Sequence, residues 1–260
     1  MTRLPRDATE NTLSFASARF GIPGHIHVCV TASGSVILDV KRDKYLGLGR
    51  KETELLADAV SGWPEPVWQR SLCRDRRARF EAEKAMCESL VADGVLERIS
   101  ESKHARFVPV LKDMRGEWIS IGDEIEVRGR VTLRHIVNFL SAYLWARYSL
   151  ARRPFSSMVE AVTVRKMRGP GEMRQSDVGR IAAMVDVYRR LRPWVFAPEG
   201  RCLLHALTLV RFLSHYRLHP DWVIGVTTQP WGAHSWVQWD NYLLDSNPEK
   251  VCGFTPIIMV

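Results

Sequence analysis

The chain has 260 residues, of which 46% are hydrophobic and 25% are charged; this composition excludes a disordered or fibrous protein, and the length favours two domains. Its five cysteines are odd in number and include no C-x-x-C pair, which argues against a disulfide scaffold and for a reducing compartment. The formal net charge of +8 is frequent in proteins that bind nucleic acid or acidic peptides.

The sequence contains no recognisable targeting or membrane segment. The N-terminus has no basic-then-apolar signal pattern. Arg147 and Arg152 interrupt the most apolar stretch, residues 137–153, before it reaches the roughly 20 apolar residues of a membrane span. We therefore expect a soluble cytoplasmic protein without a membrane partner.

The first part of the chain predicts a small α+β unit. Residues 1–21 lack periodicity and are expected to form a flexible arm. Two short strands follow, and a third has the sequence KYLGLG at 44–49. Helical patterns then predict a helix that ends before Gly62, a short second helix at 65–72, and a third helix from about Phe80 to Asp93.

This order of elements over residues 22–100 resembles the winged-helix-like peptide-recognition domain of biosynthetic systems for ribosomal peptides. In that family, the leader of a precursor peptide adds as an extra strand beside the third strand and lies against the third helix, a case of β-augmentation. The alternative is a structural domain in which the same side chains are core. The resemblance implies leader-binding residues at Tyr45, Leu46, Leu48, Phe80 and Lys84.

The next part of the chain predicts a connecting region and two helices. Residues 101–129 are mixed and charged, and we expect them to connect the first unit to a second domain at 130–260. Apolar residues recur at helical spacing from Leu133 to Leu144 and again from Ile181 to Leu191.

Cys202 lies in the first turn of the next helix, which is rich in leucine. The first amides of a helix lack intrahelical acceptors and the helix dipole is positive there, so this position stabilises a thiolate and an oxyanion. Free cysteines beside leucines are more often plain core residues. A predicted hairpin follows, with His234 on its first strand, a turn at Asp240-Asn241, and Asp245 on the return, where it is expected near His234.

A helix-terminal cysteine, a strand histidine and a nearby acid, in the segments GRCLLHALTLV, AHSWVQW and LLDSNP, resemble the papain-like and transglutaminase-like fold. With the preceding recognition domain, they resemble the B proteins of lasso-peptide biosynthesis, in which a recognition domain is fused to a leader peptidase. The resemblance implies that Cys202 is the nucleophile, His234 the base and acid, and Asp245 the residue that orients the imidazole. Asp240 is the weaker acid candidate, and Trp194 or the Cys202 amide is a candidate oxyanion donor.

The same resemblance implies partners for the chain. These are the leader of a precursor peptide and a macrocyclase similar to asparagine synthetase, which consumes ATP. The chain itself is expected to bind no cofactor, no metal and no nucleic acid.

Other readings of the sequence remain open. The triad equally suits acyl transfer to an amine, as in a transglutaminase, and an inactive triad would leave a binding protein. A winged-helix nucleic-acid reader is suggested by the basic stretch at 74–84. The spacing C-x2-H-x9-H-x3-H from Cys202 to His219 resembles a zinc site, but a continuous helix through 203–213 leaves no knuckle for it.

Overall fold

The computed structural model of the protein describes residues 20–69, 76–99, 118–125, 127–169, 177–196 and 201–260. Most of the expected arm (1–21), and residues 101–117 of the expected connection, lie outside the described residues. The N-terminal half contains β1 (Phe20–Gly21), β2 (Ile26–Thr31), β3 (Gly34–Asp39), β4 (Lys44–Gly49), α1 (Arg50–Ala59), β5 (Val60–Ser61), α2 (Arg76–Ala92) and β6 (Glu97–Arg98). The C-terminal half contains β7 (Ile119–Ser120), α3 (Ile121–Glu124), α4 (Leu133–Arg152), α5 (Phe155–Met167), α6 (Val178–Leu191), α7 (Cys202–Ser214), β8 (Asp221–Thr228), β9 (Trp231–Trp239), β10 (Tyr242–Leu243), α8 (Pro248–Val251) and β11 (Thr255–Met259).

The N-terminal half is built around an antiparallel meander in the order β2-β3-β4. Gly34 begins β3 with φ +150°, and a Cβ atom there would lie 1.9 Å from the carbonyl oxygen of Leu48, so this close approach of two strands requires glycine. The three predicted strands and the first and third predicted helices are confirmed. The second predicted helix is wrong over 65–69, which are described without helix, and 70–72 lie outside the described residues.

The two faces of the meander pack against different parts of the molecule. Ile37 belongs to a core with α1 and α2, whereas its neighbours Val36 and Leu38 join the core of the C-terminal half. Because side chains alternate along a strand, one face of the sheet serves each half. The mixed α+β class is therefore confirmed, while the winged-helix character of this half stays a prediction.

The C-terminal half is a five-stranded sheet in the order β11-β8-β9-β10-β7. Helix α7 lies on β9 and β8 and packs against α4 and α6 on its other sides, with eight of its thirteen residues buried. Strand β7 pairs in parallel with β10, which extends this half back into the region expected to be a connection. Within the described ranges, no helix is both long enough and apolar enough to span a bilayer.

Candidate active site

Cys202 is the first residue of α7, as its sequence position predicts, and its thiol is free and half-buried. The N-cap residue Arg201 provides no side-chain hydrogen bond to the first turn. The first amides of α7 therefore keep their donors for another acceptor. A carbonyl oxygen attacked by this thiol would become such an acceptor.

Tyr45 of the N-terminal half lies within electrostatic range of this cysteine. Tyr45 on β4 pairs with Leu38 on β3, so it shares the face that packs on the C-terminal half. Burial, followed by the negative charges of Asp43 and ionised Cys202, raises the pKa of Tyr45. Tyr45 also contacts Trp231 edge to face, with 5.5 Å between ring centroids. The start of β4 and the start of β9 therefore meet at this contact, within electrostatic range of Cys202 in the first turn of α7.

His234 lies on the other face of the C-terminal sheet. Val237 belongs to the core beneath α7, and strand alternation points a residue three positions away to the opposite side. There the His234 ring stacks on Trp236, with 6.0 Å between ring centroids, and contacts Phe254, with 5.3 Å between ring centroids. Its Nε2 lies 3.4 Å from the hydroxyl of Ser246. Burial, followed by the charge of Lys250, lowers the pKa of His234 and favours a neutral ring.

Asp245 is half-buried and forms no hydrogen bond with His234. Its Oδ1 accepts a hydrogen bond from the amide of Val237 at 2.8 Å. Burial raises its pKa to about 7, against the opposing effects of that hydrogen bond, Arg192 and Arg189. Strand β10 ends at Leu243, and the carboxyl that follows is bonded to the β9 backbone, so the expected approach of Asp245 to His234 stays a prediction.

The structure therefore places the three predicted catalytic residues near strand β9 but does not connect them to one another. Among the described residues, no hydrogen bond links Cys202, His234 and Asp245 to one another. Of the other candidates, Asp240 is exposed at the predicted hairpin turn with φ +53°. Trp194 lies in a short 3-10 turn with two thirds of its surface exposed.

The sequence reasoning overlooked His205 as a partner for the thiol, although Cys202 and His205 are spaced to share one side of a helix. The Nε2 atom of His205 is buried and has no hydrogen-bond partner among the described residues. Burial, followed by the charges of Arg192 and Arg201, lowers the pKa of His205 to about 4. It is thus a neutral imidazole one turn from Cys202.

The five predicted leader-binding residues do not form one surface. Strand β4 pairs with β3 and with no other described strand, so within the described residues its outer edge has no strand partner, as strand addition requires. Leu46 lies opposite Ile37, and Leu48 packs on the core of the N-terminal half, whereas Tyr45 lies on the other face, opposite Leu38. Phe80 and Lys84 are exposed on α2, which packs on α1.

A cleft of about 910 Å³ opens on the His234 side of the sheet. Trp118, Trp236 and Phe254 line it from the C-terminal half, and Thr31 and Ser33 line it from the N-terminal half. In the described part of the chain, no three histidine, cysteine, aspartate or glutamate side chains converge as metal ligands.

Comparison with known proteins identifies the C-terminal half. Residues 140–259 match the family model of the transglutaminase-like superfamily, so this half carries a transglutaminase-like domain. Domains of this superfamily generally have cysteine-protease or acyltransferase activity. No curated protein and no solved structure matches the chain.

Proposed function

We propose that the protein is a cysteine peptidase that removes the leader from a ribosomally made precursor peptide of the lasso type. The observation that carries the proposal is the edge of β4, with which no described strand pairs, and whose Tyr45 contacts Trp231 of the C-terminal half within electrostatic range of Cys202. A peptide added to this edge is held by backbone hydrogen bonds and continues toward the thiol. Recognition of the leader and its cleavage would thus occur on one bound precursor peptide.

The direction of the bound peptide follows from the direction of β4. Lys44 and Tyr45 begin this strand and lie at the cysteine end, while Gly49 ends it at the far side. A leader precedes its cleavage site, so its C-terminal end must point toward Cys202. The leader therefore runs antiparallel to β4.

In the proposed reaction the Cys202 thiolate attacks the scissile carbonyl, and the first amides of α7 hold the resulting oxyanion. Collapse of this intermediate breaks the peptide bond, and the amine of the core leaves with a proton from the imidazolium that took the thiol proton. Water then hydrolyses the thioester and releases the leader with a free carboxyl group.

We assign the imidazole to His234 because of the resemblance of its segment AHSWVQW, with Asp245 as the residue that orients the ring. In this structure, the His234 ring lies on the opposite face of β9, so the assignment requires the first residues of β9 to turn over when peptide binds. The preceding residue pair, Gly232 and Ala233, is not buried, and its pairing with Thr227 and Val226 would have to open for this movement. His205 is the competing base because it already lies on the α7 side.

The test is mass spectrometry of precursor peptides encoded by short reading frames beside the gene. Each peptide is incubated with the protein, with and without the neighbouring macrocyclase and ATP, beside a Cys202→Ala control. A single cut that separates leader from core, absent in the control, supports the proposal. Joining of the leader acyl group to an added amine instead would show an acyltransferase, and intact peptide in every reaction would refute cleavage.

A further inference from the structure

Helix α4 exposes a continuous apolar stripe. Its residues recur every three or four positions, a spacing that places them on one side of a helix. Between 41% and 75% of the surface of each is accessible to solvent. The stripe consists of Leu133, Val137, Leu140, Leu144 and Tyr148.

The other side of α4 already supplies its contribution to the core. Phe139, Ala142 and Ala146 are buried there, and this side packs on α7. The stripe is therefore not needed to form the core of this half. Contiguous exposed apolar side chains of this kind mark interaction surfaces in globular proteins.

Arginines border the stripe on both sides, and α4 contains no aspartate or glutamate. On a helical projection, Arg147 falls on one flank, and Arg134 and Arg152 fall on the other. Arg147 and Arg152 form no ion pair with any described residue. Their guanidinium groups are exposed and suited to bidentate carboxylate contacts.

A groove lies beside the stripe, at the start of α7. Between α4 and the start of α7 is an open groove of about 370 Å³, lined by Arg147, Leu150, Arg201 and Leu203. Arg201 and Leu203 flank Cys202 in sequence. A flat bilayer does not enter such a groove, whereas a protein segment fills it. A second copy of the chain is disfavoured because an antiparallel pair of α4 helices would place Arg134 against Arg152.

We propose that the α4 stripe is a docking surface for a protein partner whose contact surface is apolar at its centre and edged by carboxylates. The identity of this partner rests on the proposed function: it is the macrocyclase that receives the freed core. Docking at α4 and in the adjoining groove places the partner beside Arg201 and Leu203, the residues that flank Cys202.

The experiment is a titration, followed by calorimetry, of the full-length protein with the purified macrocyclase encoded beside the gene. Leu144→Asp places a charge at the middle of the stripe, and Arg147→Glu reverses a charge on its border. We expect each to weaken binding at least about tenfold. Met167→Asp is the matched control, because Met167 is more exposed than any stripe residue but lies at the end of α5; its affinity stays at the wild-type value.

Circular dichroism confirms that each variant is folded before its affinity is interpreted. Unchanged affinity in both stripe variants overturns the proposal, as does a wild-type protein that fails to bind the macrocyclase. Two further measurements test the other occupants. If Leu144→Asp loses binding to phosphatidylglycerol vesicles while Met167→Asp keeps it, the stripe binds a membrane and the proposal is overturned. If Leu144→Asp changes self-association in sedimentation while Met167→Asp does not, the stripe binds a second copy and the proposal is likewise overturned. Cleavage of the precursor without macrocyclase binding refutes the docking surface only, and docking without cleavage refutes the proposed function only.

Discussion

The ring of Tyr45 on β4 meets the ring of Trp231 on β9 at an interplanar angle of 72°. This contact joins the edge of the N-terminal sheet to the hairpin that carries His234. Both rings are partly exposed, so a peptide lying along β4 would pass over them on its way to Cys202. The pair is thus placed to contact the residues of the peptide nearest the cut.

Replacing Tyr45 tests this contact. Tyr45→Ala removes the ring beside Cys202, and we expect cleavage efficiency (kcat/KM) to fall by about tenfold, the effect of losing roughly 1.4 kcal/mol of binding. Tyr45→Phe keeps the ring contact and serves as the matched control. Fluorescence anisotropy of a labelled leader peptide measures binding separately. Leu48→Asp, which alters β4 on its other face, is expected to weaken leader binding while the Cys202 thiol stays reactive.

The cysteines are expected to differ sharply in alkylation. Burial raises the pKa of the Cys29 thiol to about 12 and that of Cys87 to about 11, the latter with help from Glu83. Iodoacetamide at pH 8 should therefore modify Cys202 and the exposed Cys252 while leaving Cys29 and Cys87 intact. Peptide mapping by mass spectrometry measures the extent of alkylation at each cysteine.

Protection by substrate sharpens the alkylation experiment. Precursor peptide should slow modification of Cys202 and leave Cys252 unchanged, because only Cys202 lies beside the proposed peptide path. Equal rates at Cys202 with and without peptide would contradict that path. Cys202→Ala should abolish cleavage with little change in the melting temperature, and an unfolded variant would make Cys202 a structural residue.

Two histidine substitutions decide which imidazole serves as base. We expect His234→Ala to lower kcat by about 100-fold or more, the usual contribution of a general base, and His205→Ala to retain most activity. Rates with saturating precursor peptide measure both. The reverse pattern would assign the base to His205 and leave His234 as a packing partner of Trp236.

The raised pKa of Asp245 predicts a pH-dependent stability. Below its ordinary pKa of 3.8, folded and unfolded chains both hold the proton, so burial of the neutral group carries no ionisation cost. As the pH rises toward about 7, the unfolded chain loses the proton first, and stability falls until the folded group also ionises. The full loss is on the order of 4 kcal/mol.

Asp245→Asn removes this titration and keeps an oxygen for the Val237 amide. We therefore expect the variant to be more stable than the wild type at pH 8, with the difference vanishing near pH 4. Urea unfolding at pH 4, 6 and 8 measures it. A difference that is constant across this range would show that the Asp245 carboxyl does not titrate as its burial predicts.

Local patterns determined much of what the sequence could predict. The lysine-to-glycine segment KYLGLG has the bounds of β4, and the apolar run after Gly200 begins α7 at Cys202. The face of the sheet on which the His234 side chain lies could not be predicted in this way. It depends on the register between β8 and β9, in which Gly225 lies opposite His234, and on which side α7 covers.

The stripe on α4 shows a second limit of sequence reasoning. Periodic apolar residues from Leu133 to Leu144 predict a helix correctly, but they suggest that this side is core. In the structure, the smaller residues Ala142 and Ala146, with Phe139, face the core instead. A helix with two apolar sides gives no local signal that selects between them, because the choice depends on the approach of α7.

The core shared by the two halves has a consequence for how the molecule unfolds. Cys29, Val36 and Leu38 of the meander belong to the same packed cluster as Leu207 and Phe212 of α7. Cutting the chain between the halves would expose this apolar surface on both fragments, so we expect neither fragment to be stably folded and soluble alone. Heating should give one cooperative transition, and a version divided into two polypeptides would have to reassemble through this surface as a tight heterodimer.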